Sequence, residues 1–159
     1  MTLTMFDHGA LTDLVLGYLA TAFESNVDIT SGKEPPIGDG VAPAEGGWDA
    51  GQAGTGVFVP YVVLVSGGAV PVALDIANSV PAWGVGFSLR SFGGSRAQCD
   101  WIATQSRRAL EGIKRSTFGD PVAKVINVQW VTLGPVARND STAPPSWGVF
   151  DTVTLVCDS

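Results

Sequence analysis

Few residues in this chain have the chemistry to support catalysis. His8 is the only histidine. A histidine-based nucleophile or metal site would have to be built on that residue, in a stretch, 1–9, that reads as a loose lead-in. The two cysteines, Cys99 and Cys157, lie far apart and show no metal-ligand spacing. Two readings stand for them, free buried thiols in a reducing compartment or a disulfide, and the apolar strand pattern around Cys157 favours burial. Asp39, Glu45 and Asp49 offer carboxylates by count. They fall in a Gly/Pro-rich stretch with no rigid element to hold them at acid–base distance. Gly84-Val85-Gly86 runs on into strand-like residues, so it is no dinucleotide fingerprint. Gly93-Gly94-Ser95-Arg96 does open a helix, and a helix N-terminus can attract an anion, but the motif alone is weak. The residues therefore predict no catalytic group, no metal and no cofactor, and a chain that is not an enzyme.

The elements that would position these residues follow from periodicity. Residues 10–23 read as a helix, with Leu11, Leu14, Val15, Tyr18, Leu19 and Ala22 on one stripe. Thr12 and Asp13 suit the start of its dipole. Gly17 is expected to mark a close crossing against another element. Residues 26–56 hold Pro35-Pro36, Pro43, Gly38, Gly40, Gly46-Gly47, Gly51, Gly54 and Gly56, and five acids against one lysine. This composition predicts a long extended loop. Residues 57–65 form a strand with both faces apolar, and Pro60 argues for an edge or a bulge. Ser66-Gly67-Gly68 reads as a turn and 70–76 as a short further strand, with Pro71 again at an edge. Residues 82–92 alternate cleanly: Trp83, Val85, Phe87 and Leu89 on one face, Gly84, Gly86, Ser88 and Arg90 on the other. The two glycines leave room for another backbone.

After the Gly-Gly-Ser corner, with Ser95 or a neighbour as cap, a helix is expected over 96–114. Cys99, Ile102, Ser106, Ala109, Leu110 and Ile113 line its packing face. Arg96–Asp100, Arg107–Glu111 and Glu111–Arg115 have i,i+4 spacing. Residues 122–133 and 147–157 read as strands, joined through a polar, Pro-containing stretch at 137–145 that is long for a hairpin. Asp151 falls on the apolar side of the last strand and needs a partner. The expected fold is one α+β domain over 1–159. It has a mainly antiparallel sheet of four to five strands with two helices on a face, in the order α-β-(β)-β-α-β-β.

Composition points toward assembly. Hydrophobic residues make up 45% of the chain and charged residues only 15%, below the usual share of about 25%. The formal charge is −6, which disfavours general nucleic-acid binding. Charge is also polarised. Lys33 is the only base in residues 1–49, which hold eight acids, whereas Arg90, Arg96, Arg107, Arg108, Lys114 and Arg115 cluster. This suits head-to-tail contact between copies, or simply two solvated surfaces. Trp101 and Arg108, at i and i+7, share a helix flank with Gln105 and Gly112 beside them. That flank is either a subunit contact or a rim over the core. Trp48 is likewise either a partner anchor or a residue tucked onto its own fold. No leader pattern opens the chain and no apolar run approaches a membrane span, so a chain made and kept in a cytoplasm is expected.

One stretch carries a family resemblance. The strand Tyr61-Val62-Val63-Leu64-Val65, the strand from Gly84 to Leu89, and above all Gly93-Gly94-Ser95-Arg96-Ala97-Gln98 running into Cys99-Asp100-Trp101-Ile102-Ala103 resemble the tail terminator proteins of long-tailed, siphovirus-type bacteriophages of actinobacteria. A basic Ser-Arg-Arg-Ala-Leu follows on the same helix. The resemblance covers about residues 57–115, and the 26–56 stretch is longer than such proteins typically carry. It implies a structural virion protein of the tail and neck, assembled in the host cytoplasm as a homo-hexameric ring. Such a ring caps the head-proximal end of the tail tube, stops tube polymerisation and meets the head–tail connector or stopper protein. DNA would pass through the lumen without sequence-specific binding. Another neck protein, such as a stopper or head-completion subunit, is the nearest alternative, and a small ligand-binding domain or enzyme the next. The subunit contacts expected are Trp101, Gln105, Arg108, Arg115, Arg96 and Trp48.

Overall fold

The computed structural model describes residues 6–48, 56–72, 82–114, 116–118, 123–142 and 144–158. Its first helix, α1 (His8–Glu24), starts two residues before the predicted helix because Asp7 caps it, accepting from the Ala10 N–H at 2.9 Å. Leu11, Val15, Leu19 and Phe23, spaced four apart, are its fully buried positions. The chain then forms β1 (Ile37–Asp39), β2 (Gly47–Trp48), β3 (Phe58–Val59), β4 (Tyr61–Val72) and β5 (Ala82–Gly93). The second helix, α2 (Arg96–Glu111), is followed by β6 (Thr117–Phe118), β7 (Ala123–Thr132), β8 (Ala137–Asn139) and β9 (Ser146–Asp158).

The class is α+β, two helices on a mostly antiparallel sheet, but that sheet has seven strands rather than four to five, in the order β1-β4-β5-β9-β7-β6 with β8 also on β9. The extra strands β1, β6 and β8 are two or three residues long, too short to show a period of two. β1 runs parallel to β4, pairing Ile37 with Val62 and Asp39 with Leu64, so the sheet is mixed. A separate antiparallel ribbon joins β2 to β3. The 26–56 stretch is thus not one extended loop: its described part holds a tight turn and two short strands, while 49–55 lie outside the described residues.

Ser66-Gly67-Gly68 is not a turn. It is a bulge inside β4, which continues from Ser66↔Phe87 to Ala69↔Val85. A Cβ on Gly67 would sit 2.8 Å from the Gly86 carbonyl oxygen, so glycine is needed where the two strands press together. Beyond β1 the outer edge of β4 carries this bulge and Pro71. β7 has register shifts at Ile126 and Val131. Bulges and proline blunt the pairing capacity of sheet edges. The stretch over 137–145 is in part a strand, since β8 pairs back onto the start of β9.

Both helices lie on one face. Leu11, Val15, Leu19 and Phe23 of α1, Ile102 and Leu110 of α2, and Val62, Leu64, Val85, Phe87, Leu89, Val125, Val153 and Leu155 of the sheet form one buried cluster. The expected alternation in β5 holds at Val85, Phe87 and Leu89. Gly93 lets α2 leave the sheet at close range: a Cβ there would lie 2.5 Å from the Cys99 nitrogen. No described helix is long and apolar enough to cross a membrane.

Candidate assembly surface

Separate parts of the chain meet at the first turn of α2. Ser95 Oγ accepts from the Gln98 N–H at 3.1 Å, and Gln98 Oε1 accepts from the Gly94 N–H at 2.7 Å. This reciprocal Ser-x-x-Gln pattern satisfies the Gln98 N–H in the first turn and the Gly94 N–H just before the cap. The Gln98 Nε2 group then donates to Asp28 Oδ2 and to the Phe58 carbonyl, both at 3.0 Å. Asp28 is buried, and its Oδ2 also accepts from the Ser31 N–H at 2.7 Å. The Gly32 N–H donates to the Asp28 carbonyl at 2.7 Å and the Asp28 N–H to the Lys33 carbonyl at 3.1 Å. Gly32 has φ of 67°, a left-handed conformation that glycine adopts without steric cost. The result is a fixed turn over residues 28–33 docked on α2. At its tip Ile29 is 99% exposed.

A groove of about 720 Å³ runs between α1 and the C-terminal half of α2, bordered by Asp13, Gly17, Tyr18, Thr21, Arg108 and Gly112. Small residues make it. A Cβ on Gly17 would meet nothing within 4 Å. Gly17 therefore marks a gap between the helices, where the sequence predicted a close crossing. The Tyr18 hydroxyl at its floor is hydrogen-bonded to Ser116 Oγ.

The basic segment is not one uniform surface. Arg107 was expected to pair with Glu111. Instead it reaches the sheet, its Nε and Nη2 each donating to Asp151 at 2.8 Å, while the Gly134 N–H donates to the same carboxylate at 2.9 Å. Asp151 is fully buried, which answers its need for a partner. The bidentate bond to Asp151 holds the Arg107 pKa above its ordinary value. Glu111 turns to Lys114 at 3.1 Å and accepts from Trp130 Nε1 at 2.7 Å, and these bonds, the one from Trp130 first, lower its pKa. Both cysteines are free and buried, and desolvation pushes each thiol up to about 12.

The predicted contact residues are placed as follows. Trp101 is half-buried against the main core and faces the exposed turn, sharing a small hollow with Ile29 and Ala97. Arg108 is exposed on the groove, Gln105 is half-buried and Arg96 is exposed at the first residue of α2. Trp48 packs edge-on against Phe58, ring centres 5.2 Å apart, and its Nε1 is buried without a hydrogen-bond partner. It tucks onto its own ribbon and borders Thr30 and Ser95. Arg115 lies outside the described residues, as does Asp49. Trp101, Trp48 and Arg96 thus gather at the start of α2, while Arg108 stands at its far end. Sequence reasoning missed Ile29, Asp28 and Gln98, of which only the Ser-x-x-Gln spacing left a signal.

A chain of ring contacts runs from Trp48 and Phe58 of the β2–β3 ribbon through Tyr61 and Phe92 to Phe150 on the other face of the sheet, with Arg90 5.8 Å from the Phe150 ring centre. Phe150, Val70 and Val131 are more than half exposed. His8 does not sit in a loose lead-in. It begins α1, lies 3.0 Å from Ser66 Oγ and stacks parallel to Phe87. The neighbouring carboxylate, Asp7, is spent on capping α1. Among the described residues no group of three His, Cys, Asp or Glu side chains is placed to hold a metal. No protein-family model matches the chain, and no curated protein matches it significantly.

Proposed function

We propose that this chain is a non-enzymatic structural subunit that assembles with copies of itself into a ring, as the tail terminator resemblance implies. The ring would cap the head-proximal end of a phage tail tube, halt its growth and meet the connector or stopper protein. The observation that carries the reading is exposed apolar surface on both layers. Ile29 stands out on the helical side, and Phe150 and Val70 on the open sheet face, where Phe150 ends the chain of ring contacts. Apolar surface that continues a packed row of aromatic rings suits an interface. The blunted sheet edges favour association through faces over open-ended strand pairing. Low overall charge, split into an acidic N-terminal third and a basic α2, fits head-to-tail contact.

The test is electron microscopy of the purified protein mixed with tail tubes. Rings on one tube end and a fixed tube length are expected. Protein that stays monomeric at high concentration and leaves tubes bare would overturn the reading. If the protein instead rescued heads that leak DNA, it would be a stopper or completion subunit. A second reading, a small-ligand domain, has one observation in its favour. The groove falls within the size range of ligand pockets, about 300–1,000 Å³. A clear thermal stabilisation by small apolar ligands or nucleotides would support it.

A further inference from the structure

We propose that Ile29 of one copy inserts into the α1–α2 groove of the next, so that the fixed turn and the groove are the two halves of a head-to-tail contact. This rests on the ring reading and names its contact. The turn over residues 28–33 is built like an anchor. Its conformation is held by Asp28, Gln98 and Gly32, so presenting Ile29 loses little conformational freedom on binding. Ile29 itself makes almost no contact with its own chain, being 99% exposed. The groove is lined mainly by small and apolar side chains and is large enough to take an isoleucine side chain with its flanking residues.

Charge matches as well. The exposed charges of residues 24–39 are Glu24, Glu34 and Asp39 against Lys33, and the groove carries exposed Arg108, while Lys114 just beyond α2 is paired with Glu111. Asp13 is the one acid on the groove rim. Opposite signs across the contact steer encounter and fix which way round two copies meet.

Geometry decides between self-contact and neighbour contact. Ile29 borders Ala97 and Trp101, whereas the groove borders Arg108 and Gly112. From Trp101 to Arg108 is seven residues of α2, about 10 Å at 1.5 Å per residue. The turn is held on the start of α2 by the Gln98–Asp28 bond with Ile29 99% exposed, so Ile29 does not fill its own groove. Two different patches that fit each other on successive copies make a heterologous contact, the kind that closes into rings. In a two-fold dimer each knob would fill the other copy's groove, so a chain carrying a cysteine on both knob and groove would stop at a covalent dimer instead of a ladder.

The experiment is cysteine trapping. Ile29→Cys in one chain and Thr21→Cys, on the groove rim, in another should form a disulfide-linked dimer on mixing under mild oxidation. Neither variant alone should do so at the same rate. A chain carrying both should give a covalent ladder ending at the ring number. The native thiols are buried and do not compete. Ile29→Asp should keep the wild-type melting temperature, since Ile29 contacts so little, and raise the concentration at half-assembly tenfold or more. If light scattering shows assembly but no 29–21 link forms, or Ile29→Asp assembles like the wild type, the knob contact is wrong and the ring reading survives. If the wild type never assembles, both fall. Displacement of an acyl chain or other small ligand from the groove on purification would also overturn the contact.

Discussion

Removing Arg107 should damage the fold of the single subunit before it touches assembly. Its guanidinium makes two bonds of 2.8 Å to Asp151, whose side chain is 0% exposed, while its own side chain is 30% exposed. Arg107→Met would leave the carboxylate buried with the Gly134 N–H as its remaining partner. Breaking a buried pair from one side costs about 3–5 kcal/mol, and the partial exposure of Arg107, which lets water follow, places the loss near the lower end. For a domain of this size about 3 kcal/mol lowers Tm by roughly 6–12 °C. Asp151→Asn should also destabilise, since it sets an amide against the guanidinium. The double variant, neutral on both sides, should lose less than the two single losses combined, by about 1.5 kcal/mol or more. Thermal or urea melts of dilute, monomeric protein give all four corners of this cycle. An Arg107→Met protein melting within about 2 °C of wild type, or strictly additive losses, would refute the reasoning.

Alkaline pH tests the buried thiols. Both are raised from 9.0 to about 12 by burial, so between those values the folded state holds protons that the unfolded state has lost. Stability should be full below about pH 9 and fall progressively toward pH 12, read as urea midpoints, with a shallower fall in a Cys99→Ala/Cys157→Ala chain; an identical slope would refute the link. Two glycines of β5 should respond oppositely to alanine. Gly93→Ala forces a Cβ to 2.5 Å from the Cys99 nitrogen and should cost about 1–3 kcal/mol as overpacking, whereas Gly86→Ala meets nothing within 4 Å and should stay within about 0.5 kcal/mol of wild type, both measured by urea unfolding.

Local pattern determined a good deal of this protein. The stripe at Leu11, Val15 and Leu19, the alternation of β5 and the packing face of α2 were all readable, because each buries one face against a partner layer and burial imposes the period of the element. The need of Asp151 for a partner was readable for a related reason, since a carboxylate on an apolar face cannot be left alone. The identity of that partner was not. Arg107 sits 44 positions away in sequence, and the i,i+4 spacing to Glu111 offered a local alternative that the sheet outcompeted. Short strands such as β1 and β8 exist only because β4 and β9 offer them an edge, so no local signal announced them. The knob and the groove were equally invisible. Ile29 is one apolar residue in an acidic, Gly/Pro-rich stretch, and only the bonds from Gln98 and Ser31 to Asp28 turn it outward and hold it there. Gly17 looks the same in sequence whether it closes a helix crossing or opens a gap. The packing of α1 on α2 decided that it opens one, because periodicity fixes which face of a helix is buried and says nothing about how far the neighbouring helix stands away.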